Sequence, residues 1–439
     1  MMYNFKKSSI VFFCLLMIVL PIDLQVVEAE EQDVVENVIL MIPDGFSTSY
    51  VTSYRIFKGE ELVFDPFLIG MMKTNSANSW VTDSAAAATA MSTGVKTNNK
   101  MIGVTPDGQI LKTILEGAKE SGRSTGLVTT VSITDATPAA FGAHVISRKD
   151  QTEIAKQLIT KVDVLLGGGK CHFLSKTSHN DEQANTLEVA KASGYYYLET
   201  RDQLLNLSGS EEKVLGLFAE AELTPVIDKR TKEQPSLEEM TTAAIQSLHT
   251  NDKGFFLMIE GGQIDRAGHV HDPVWAMNET KAFEEAVEKV LDFAKENGKT
   301  LVVIAGDHDT GGMSVSGYDE YVANVELLKE AKATGNYIAS KLNYKRRNAA
   351  NIIKEYTGIK LTKKEAKQIK KAKKKEVAIA INHMISKRAY IGWTTHVHSG
   401  TNVPIYAFGP RSNLFSGNLD NTDIPKKIAE VMGVQISDK

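Results

Sequence analysis

Two cysteines in 439 residues leave almost nothing from which to build a disulfide framework. Cys14 sits inside an N-terminal apolar run, without the small residues that a lipid-attachment site needs ahead of it. If the chain is cut after Ala29, only Cys171 remains. A single cysteine forms no intrachain disulfide, so the core or bound metals must stabilise the exported chain. Strong charge of either sign is missing too: 50 Lys and Arg against 54 Asp and Glu give a net charge of −4. That balance points to no nucleic acid as a specific partner and to no anionic membrane. Beyond Leu20, no apolar run approaches membrane-spanning length. No internal repeat and no Gly/Ser- or Pro-rich linker divides residues 30–439, which read as one domain.

What is present begins with a leader. Lys6 and Lys7 precede the apolar run Ile10–Leu20, Pro21 breaks it, and Val27-Glu28-Ala29 offers a small-residue cut site. This order is that of a secretory signal peptide over residues 1–29. The expectation is export (secreted, periplasmic or cell-surface associated) with no membrane span left once the leader is removed.

Six short apolar runs end in Gly, Asp or Glu: "ENVILMIPDG" (36–45), "STGLVTT" (124–130), "VDVLLGGG" (162–169), "GFFLMIEGG" (254–262), "KTLVVIAGDHD" (299–309) and "VPIYAFGP" (403–410). Continuous rather than alternating apolar character indicates strands buried on both faces, as in a mostly parallel sheet. Amphipathic helices fill several gaps. Phe283, Val287, Val290, Leu291 and Ala294 recur at helical spacing before Gly298, and Ser236 with Glu239 makes a capping box. The expected fold class is α/β, a doubly wound, mostly parallel sheet flanked by helices. Residues 315–393 depart from this rhythm and read as a helical insertion. Within it, "LTKKEAKQIKKAKKKEV" (361–377) has the pattern of a solvated lysine-rich helix.

In such sheets ligands collect at the C-terminal strand ends, and the acids and histidines gather there. Asp44 follows the first run. Asp135, Thr137 and, downstream of them, Arg148 lie in "SITDATPAAFGAHVISRKD" (132–150). Glu260 closes the fourth run, with Asp265 and His269 after it, four apart and so on one helical face. Asp307 and His308 close the fifth, and His398 precedes the sixth. Such oxygen and nitrogen donors without thiolates suit catalytic zinc, and carboxylate with hydroxyl suits magnesium. The stretch "WVTDSAAAATAMSTG" (80–94) places Asp83 and Ser84 ahead of an alanine run. That position suits an ordinary N-cap, and it equally suits a nucleophile meeting phosphate at a positive helix pole. Two motifs fail. "GGGK" (167–170) lacks the rest of a nucleotide loop, and in "HVHD" (269–272) His271 finds no matching partner along the sequence. His144, His249, His271 and His396 default to structural roles.

"MIPDG" (41–45), "VTDSAAAATAMSTG" (81–94), "TDATPAAFGAHVISR" (134–148), "DVLLGGG" (163–169), "IEGGQID" (259–265) with His269, "AGDHDTGG" (305–312) and "HSG" (398–400) resemble, in order, the signatures of the bacterial alkaline phosphatases. The resemblance implies a phosphate monoester hydrolase acting on broad extracellular phosphomonoesters, with two zinc ions, one magnesium ion and a possible homodimer. It places Asp265, His269 and His398 on the first zinc and Asp44, Asp307 and His308 on the second. Asp44, Thr137 and Glu260 fall on the magnesium. It makes Ser84 the phosphorylated nucleophile and Arg148 the phosphate clamp. Asp135 and Arg266 occupy family positions that vary, either as a tuning pair beside magnesium and phosphate or as an ion pair without catalytic consequence. Asp83 is expected to hold the Ser84 turn and to orient Arg148.

Three other readings compete. A sulfatase needs a C/S-x-P-x-R setting, and the chain has none. A phosphodiesterase of the same superfamily must accept a second ester group, whereas an Arg148 fork on two free oxygens favours a monoester. A non-catalytic phosphate- or zinc-binding protein has no need of a serine directed into a metal cluster.

Overall fold

The first apolar run forms a strand, β1 (Asn37–Pro43), buried along its whole length. Its side chains alternate between two separate cores. Val38, Leu40 and Ile42 enter one, and Ile39 and Met41 enter the other. A strand apolar on both faces is what a sheet covered by helices on both sides requires. The computed structural model describes residues 34–174, 185–209, 211–229 and 231–437. The expected signal segment, residues 1–29, lies outside them.

The remaining strands follow in chain order: β2 (Leu68–Lys73), β3 (Ser124–Ser132), β4 (Val164–Gly168), β5 (Tyr196–Leu198), β6 (Val214–Leu217), β7 (Phe255–Gly261), β8 (Thr300–Ala305), β9 (Asp309–Thr310), β10 (Ser314–Val315), β11 (Ile391–Gly392), β12 (His398–Ser399), β13 (Val403–Phe408) and β14 (Gly417–Asp420). Ten make one sheet in the order β14-β2-β13-β8-β1-β7-β3-β4-β6-β5. Every pairing in it is parallel except those of β13, which runs antiparallel to β2 and β8. The sheet is thus mixed but mostly parallel. β13 is buried like β8 beside it, so its continuous apolar run carried no information about direction.

Helices cover both faces. Thr48–Lys58, Leu237–Leu248 and Pro273–Asn297 pack on one side. Ser84–Thr93, Ile114–Glu120, Ala136–Gly142 and Asp423–Met432 pack on the other. Gly298 caps Pro273–Asn297 in the left-handed region, and the Ser236/Glu239 capping box is formed. The alanine run is the Ser84–Thr93 helix, with all ten residues buried. Its small side chains permit a close approach to Ala136–Gly142, where Ser92 Oγ donates to the Ala140 carbonyl at 2.6 Å.

Residues 315–393 carry the helices Gly335–Ser340, Ala349–Thr357, Lys363–Lys371 and Val377–Ala389. Ile338, Ile353, Ile369, Ile381 and Ile385 join the core on the Pro273–Asn297 side. In Lys363–Lys371 only Ile369 is buried and the lysines face solvent, the pattern of a helix anchored by one apolar residue. Among the described residues no helix is long and apolar enough to cross a membrane.

Candidate active site and metal centre

The strand ends bring the sequence-predicted residues to one edge of the sheet. Asp44 follows β1, and Glu260 stands next to the end of β7, in register with Ile42. Asp307 and His308 follow β8. Gly45 makes the junction possible. Its φ is +76°, and a Cβ there would meet Thr310 Oγ1 at 2.7 Å and Asp265 Cα at 2.9 Å. The glycine N–H donates to Asp307 Oδ1 at 3.1 Å, tying the first strand end to the last.

Asp83 is the N-cap of the Ser84–Thr93 helix, and its Oδ1 accepts from Ala86 N at 3.1 Å and Lys100 N at 2.9 Å. The cap is therefore Asp83, and the Ser84 side chain is left for other contacts. Ser84, first in the helix, lies where backbone N–H groups lack helical partners. Its Oγ is 3.1 Å from His308 Nε2. That nitrogen is also 3.1 Å from Asp307 Oδ2 and 3.5 Å from Asp44 Oδ1.

A second group adjoins the first. His269 Nε2 and His398 Nε2 lie 3.3 and 3.4 Å from Asp265 Oδ1, and 3.3 Å from each other. The opposite nitrogen of each ring meets a backbone carbonyl: His269 Nδ1 on His396 O at 2.7 Å, and His398 Nδ1 on Thr82 O at 2.8 Å. A carbonyl only accepts, so Nδ1 carries the proton and Nε2 presents its lone pair. This is how metal-ligating histidines are held. Among the described residues, Asp44/Asp307/His308 and Asp265/His308/His398 each converge within 4.8 Å.

The electrostatics of this group of side chains call for cations. Asp44 Oδ1 and Asp307 Oδ2 are buried without a hydrogen-bond partner, a costly condition for carboxylate oxygens. Burial first, then the charges of Asp307, Asp265 and Glu260, push the Asp44 carboxyl well above its usual range. Burial likewise pushes Glu260 up to about 7, against hydrogen bonds from Thr129 and Thr137. Buried oxygen and imidazole donors with no thiolate fit divalent zinc and magnesium.

The basic side chains form a chain of contacts. Arg148 reaches Asp83 Oδ2 through Nη1 at 3.2 Å and Asp135 Oδ1 through Nη2 at 2.9 Å. Asp135 also bonds Arg266, which reaches Glu222 at 2.8 Å and Asp265 Oδ2 at 3.2 Å. The Asp135–Arg266 pair therefore exists, and Arg266 touches the Asp265 carboxylate directly.

Sequence reasoning passed over several contributors. Thr310 Oγ1 donates to Asp265 Oδ1 at 2.6 Å, and Thr129 bonds Glu260. Glu222 holds Arg266. His271 has partners after all: it bonds His383 and stacks on His396, both remote in sequence. His144, by contrast, is bound to Glu116 and the Gly103 carbonyl, and His249 packs on Phe293.

The profile of the family described as "Alkaline phosphatase" matches residues 35–434. Alkaline phosphatase 3 of Bacillus subtilis is 42% identical over 93% of this chain and 92% of its own. The structure of a cold-active alkaline phosphatase from Shewanella sp. superposes with a TM-score of 0.83 at 35% identity, covering 90% of this chain and 99% of that one. A mutant of the TAB5 alkaline phosphatase with Mg bound in its M3 site superposes with a TM-score of 0.70 at 29% identity, covering 92% and 100%. This chain belongs to the alkaline phosphatase family and is a metal-dependent phosphoric monoester hydrolase.

Proposed function

We propose that the enzyme is exported and hydrolyses a broad range of phosphomonoesters through a phosphoserine formed on Ser84. In this reading residues 1–29 are the leader, residues 30–439 are one catalytic domain interrupted by the 315–393 insertion, and the chain pairs as a homodimer. The observation that carries the reading is the Ser84 hydroxyl, 3.1 Å from His308 Nε2 and beside buried carboxylate oxygens that lack partners.

Asp265, His269 and His398 would hold one zinc, and Asp44, Asp307 and His308 a second. Asp44, Thr137 and Glu260 would hold magnesium, as the Mg-bound TAB5 relative encourages. Bound there, such cations activate hydroxyl groups and offset the charge of a transferring phosphoryl group. The chain supplies the rest. Ser84 Oγ forms the bond to phosphorus while the bond to the ester oxygen breaks and the alcohol departs. Water then displaces Ser84 Oγ and releases inorganic phosphate. Arg148, held open by Asp83 and Asp135, presents a planar fork to the non-bridging oxygens, where the loose transition state carries charge. Arg266 and Asp135 act beside the Asp265 carboxylate and keep it oriented.

The test compares an aryl phosphate monoester with its diester on the metal-stripped protein reloaded with zinc, magnesium or both. The monoester turns over faster, and zinc with magnesium restores the most activity. A diester rate equal to the monoester rate would move the assignment to a phosphodiesterase. Sedimentation of the exported chain tests the homodimer.

A further inference from the structure

We propose that His271, His383 and His396 form an additional zinc site, separate from the catalytic cations, that joins the lysine-rich insertion to the segments carrying His269 and His398. One ring nitrogen from each of the three lies within 4.8 Å of the other two. His271 follows the Gln263–His269 helix, His396 precedes β12, and His383 stands on the insertion helix Val377–Ala389. The three meet only in the folded chain.

Hydrogen bonds settle which nitrogens are available. His271 Nε2 lies 2.7 Å from Thr395 O, and His396 Nδ1 lies 3.0 Å from His269 O. Both carbonyls accept, so those nitrogens carry protons and leave His271 Nδ1 and His396 Nε2 as lone pairs. A ligating imidazole whose other nitrogen donates to a backbone carbonyl is the arrangement that fixes tautomer and ring for a metal. His271 Nδ1 is 2.9 Å from His383 Nε2. Two nitrogens on a tetrahedral zinc at ~2.05 Å stand about 3.3 Å apart, so this pair needs little movement, while the His396 ring, stacked within 10° of His271, turns to aim Nε2 at the same ion.

The His271 ring is also held in place. His271 is buried, and its ring stacks on Trp393 at 4.9 Å and on His396 at 3.9 Å between centroids. Trp393 Nε1 in turn donates to Ser386 Oγ at 2.9 Å. His271 holds a left-handed backbone, φ +54°, which is uncommon for a residue other than glycine. From that backbone its ring meets His383. His271 and His383 line a cavity of about 720 Å³ that also touches Trp393, Thr394 and Lys387, so an ion can enter from solvent and keep a water. Three neutral imidazoles with an open fourth position suit zinc among the abundant divalent cations, and calcium or magnesium poorly.

The test is the zinc content of the holoenzyme, measured after equilibration in buffered zinc and gel filtration, for the wild type, His383→Ala and His383→Gln. His383 is exposed and touches no catalytic residue, so aryl phosphate turnover in both variants reports that the catalytic cations and fold are intact. The expected result is one zinc fewer per chain in both variants than in the wild type, with turnover unchanged. Equal zinc content in all three, at equal turnover, would overturn the site and leave a hydrogen-bonded histidine cluster only. The inference does not depend on the phosphoserine route, and loss of that route would leave this zinc count unaltered.

Discussion

Thr310 Oγ1 donates a 2.6 Å hydrogen bond to Asp265 Oδ1 across 45 residues of sequence. The threonine backbone is itself fixed. Its N–H bonds the Gly45 carbonyl at 3.1 Å, and its carbonyl accepts from Tyr50 OH at 2.6 Å. The hydroxyl is therefore aimed rather than free to rotate away. It orients the carboxylate oxygen that faces His269 and His398. Thr310→Val keeps the shape and removes the donor. Zinc affinity should fall by about 10- to 100-fold, the usual cost of an outer partner, with activity recovered at high zinc. A competitive zinc titration of the two proteins checks this.

Removal of the cations should cost stability in a pH-dependent way. In the metal-free protein, Glu260 is pushed up to about 7 from 4.5, and Asp44 is raised as well. The folded state then binds more protons than the unfolded one across this window, so its stability falls as pH rises from about 4.5 through about 7. His308 and His269, raised through their contacts with Asp307 and Asp265 despite burial, act in the same sense. His398, lowered by burial and by His308, opposes them. Bound cations neutralise the carboxylates. The gap in Tm between loaded and stripped protein should therefore widen as pH rises across that interval, and calorimetry at a series of pH values should show it. A constant gap would mean that the carboxylates are not compensated by metal.

Asp83 serves the helix and the arginine with different oxygens, so the two roles separate. Asp83→Ala removes both, and the lost cap should destabilise the protein by about 0.5–2 kcal/mol. Asp83→Asn keeps an oxygen for Ala86 N and Lys100 N but loses the charge that faces Arg148. It should retain most of the stability yet show a severalfold higher KM for phosphomonoesters. Denaturant midpoints and steady-state kinetics on the pair distinguish these effects.

The strands that carry chemistry were legible because they are buried on both faces and end in acids or glycine. β2, β5, β6 and β14 were not: β5, β6 and β14 are short and edge-ward, and β2 is interrupted by Gly70 and half exposed. The direction of β13 was hidden for a related reason, since burial alone does not encode polarity. At the site, charged residues beside strand ends stood out, whereas Thr310 and Thr129 looked like any other threonine. The meeting of His271 with His383 depends on how the Val377–Ala389 helix packs against Val270 and His271, and no local spacing records that. Adjacent Asp83 and Ser84 left cap and nucleophile as rivals. The fold gives the cap to Asp83 and leaves the Ser84 hydroxyl facing His308.

The most direct test of the central claim is acid-quench labelling of the zinc- and magnesium-loaded enzyme with radiolabelled phosphate, followed by peptide mapping. The account predicts covalent phosphate on the peptide that contains Ser84, and neither label nor monoester turnover in Ser84→Ala. Label on another residue, or wild-type turnover in Ser84→Ala, would contradict it.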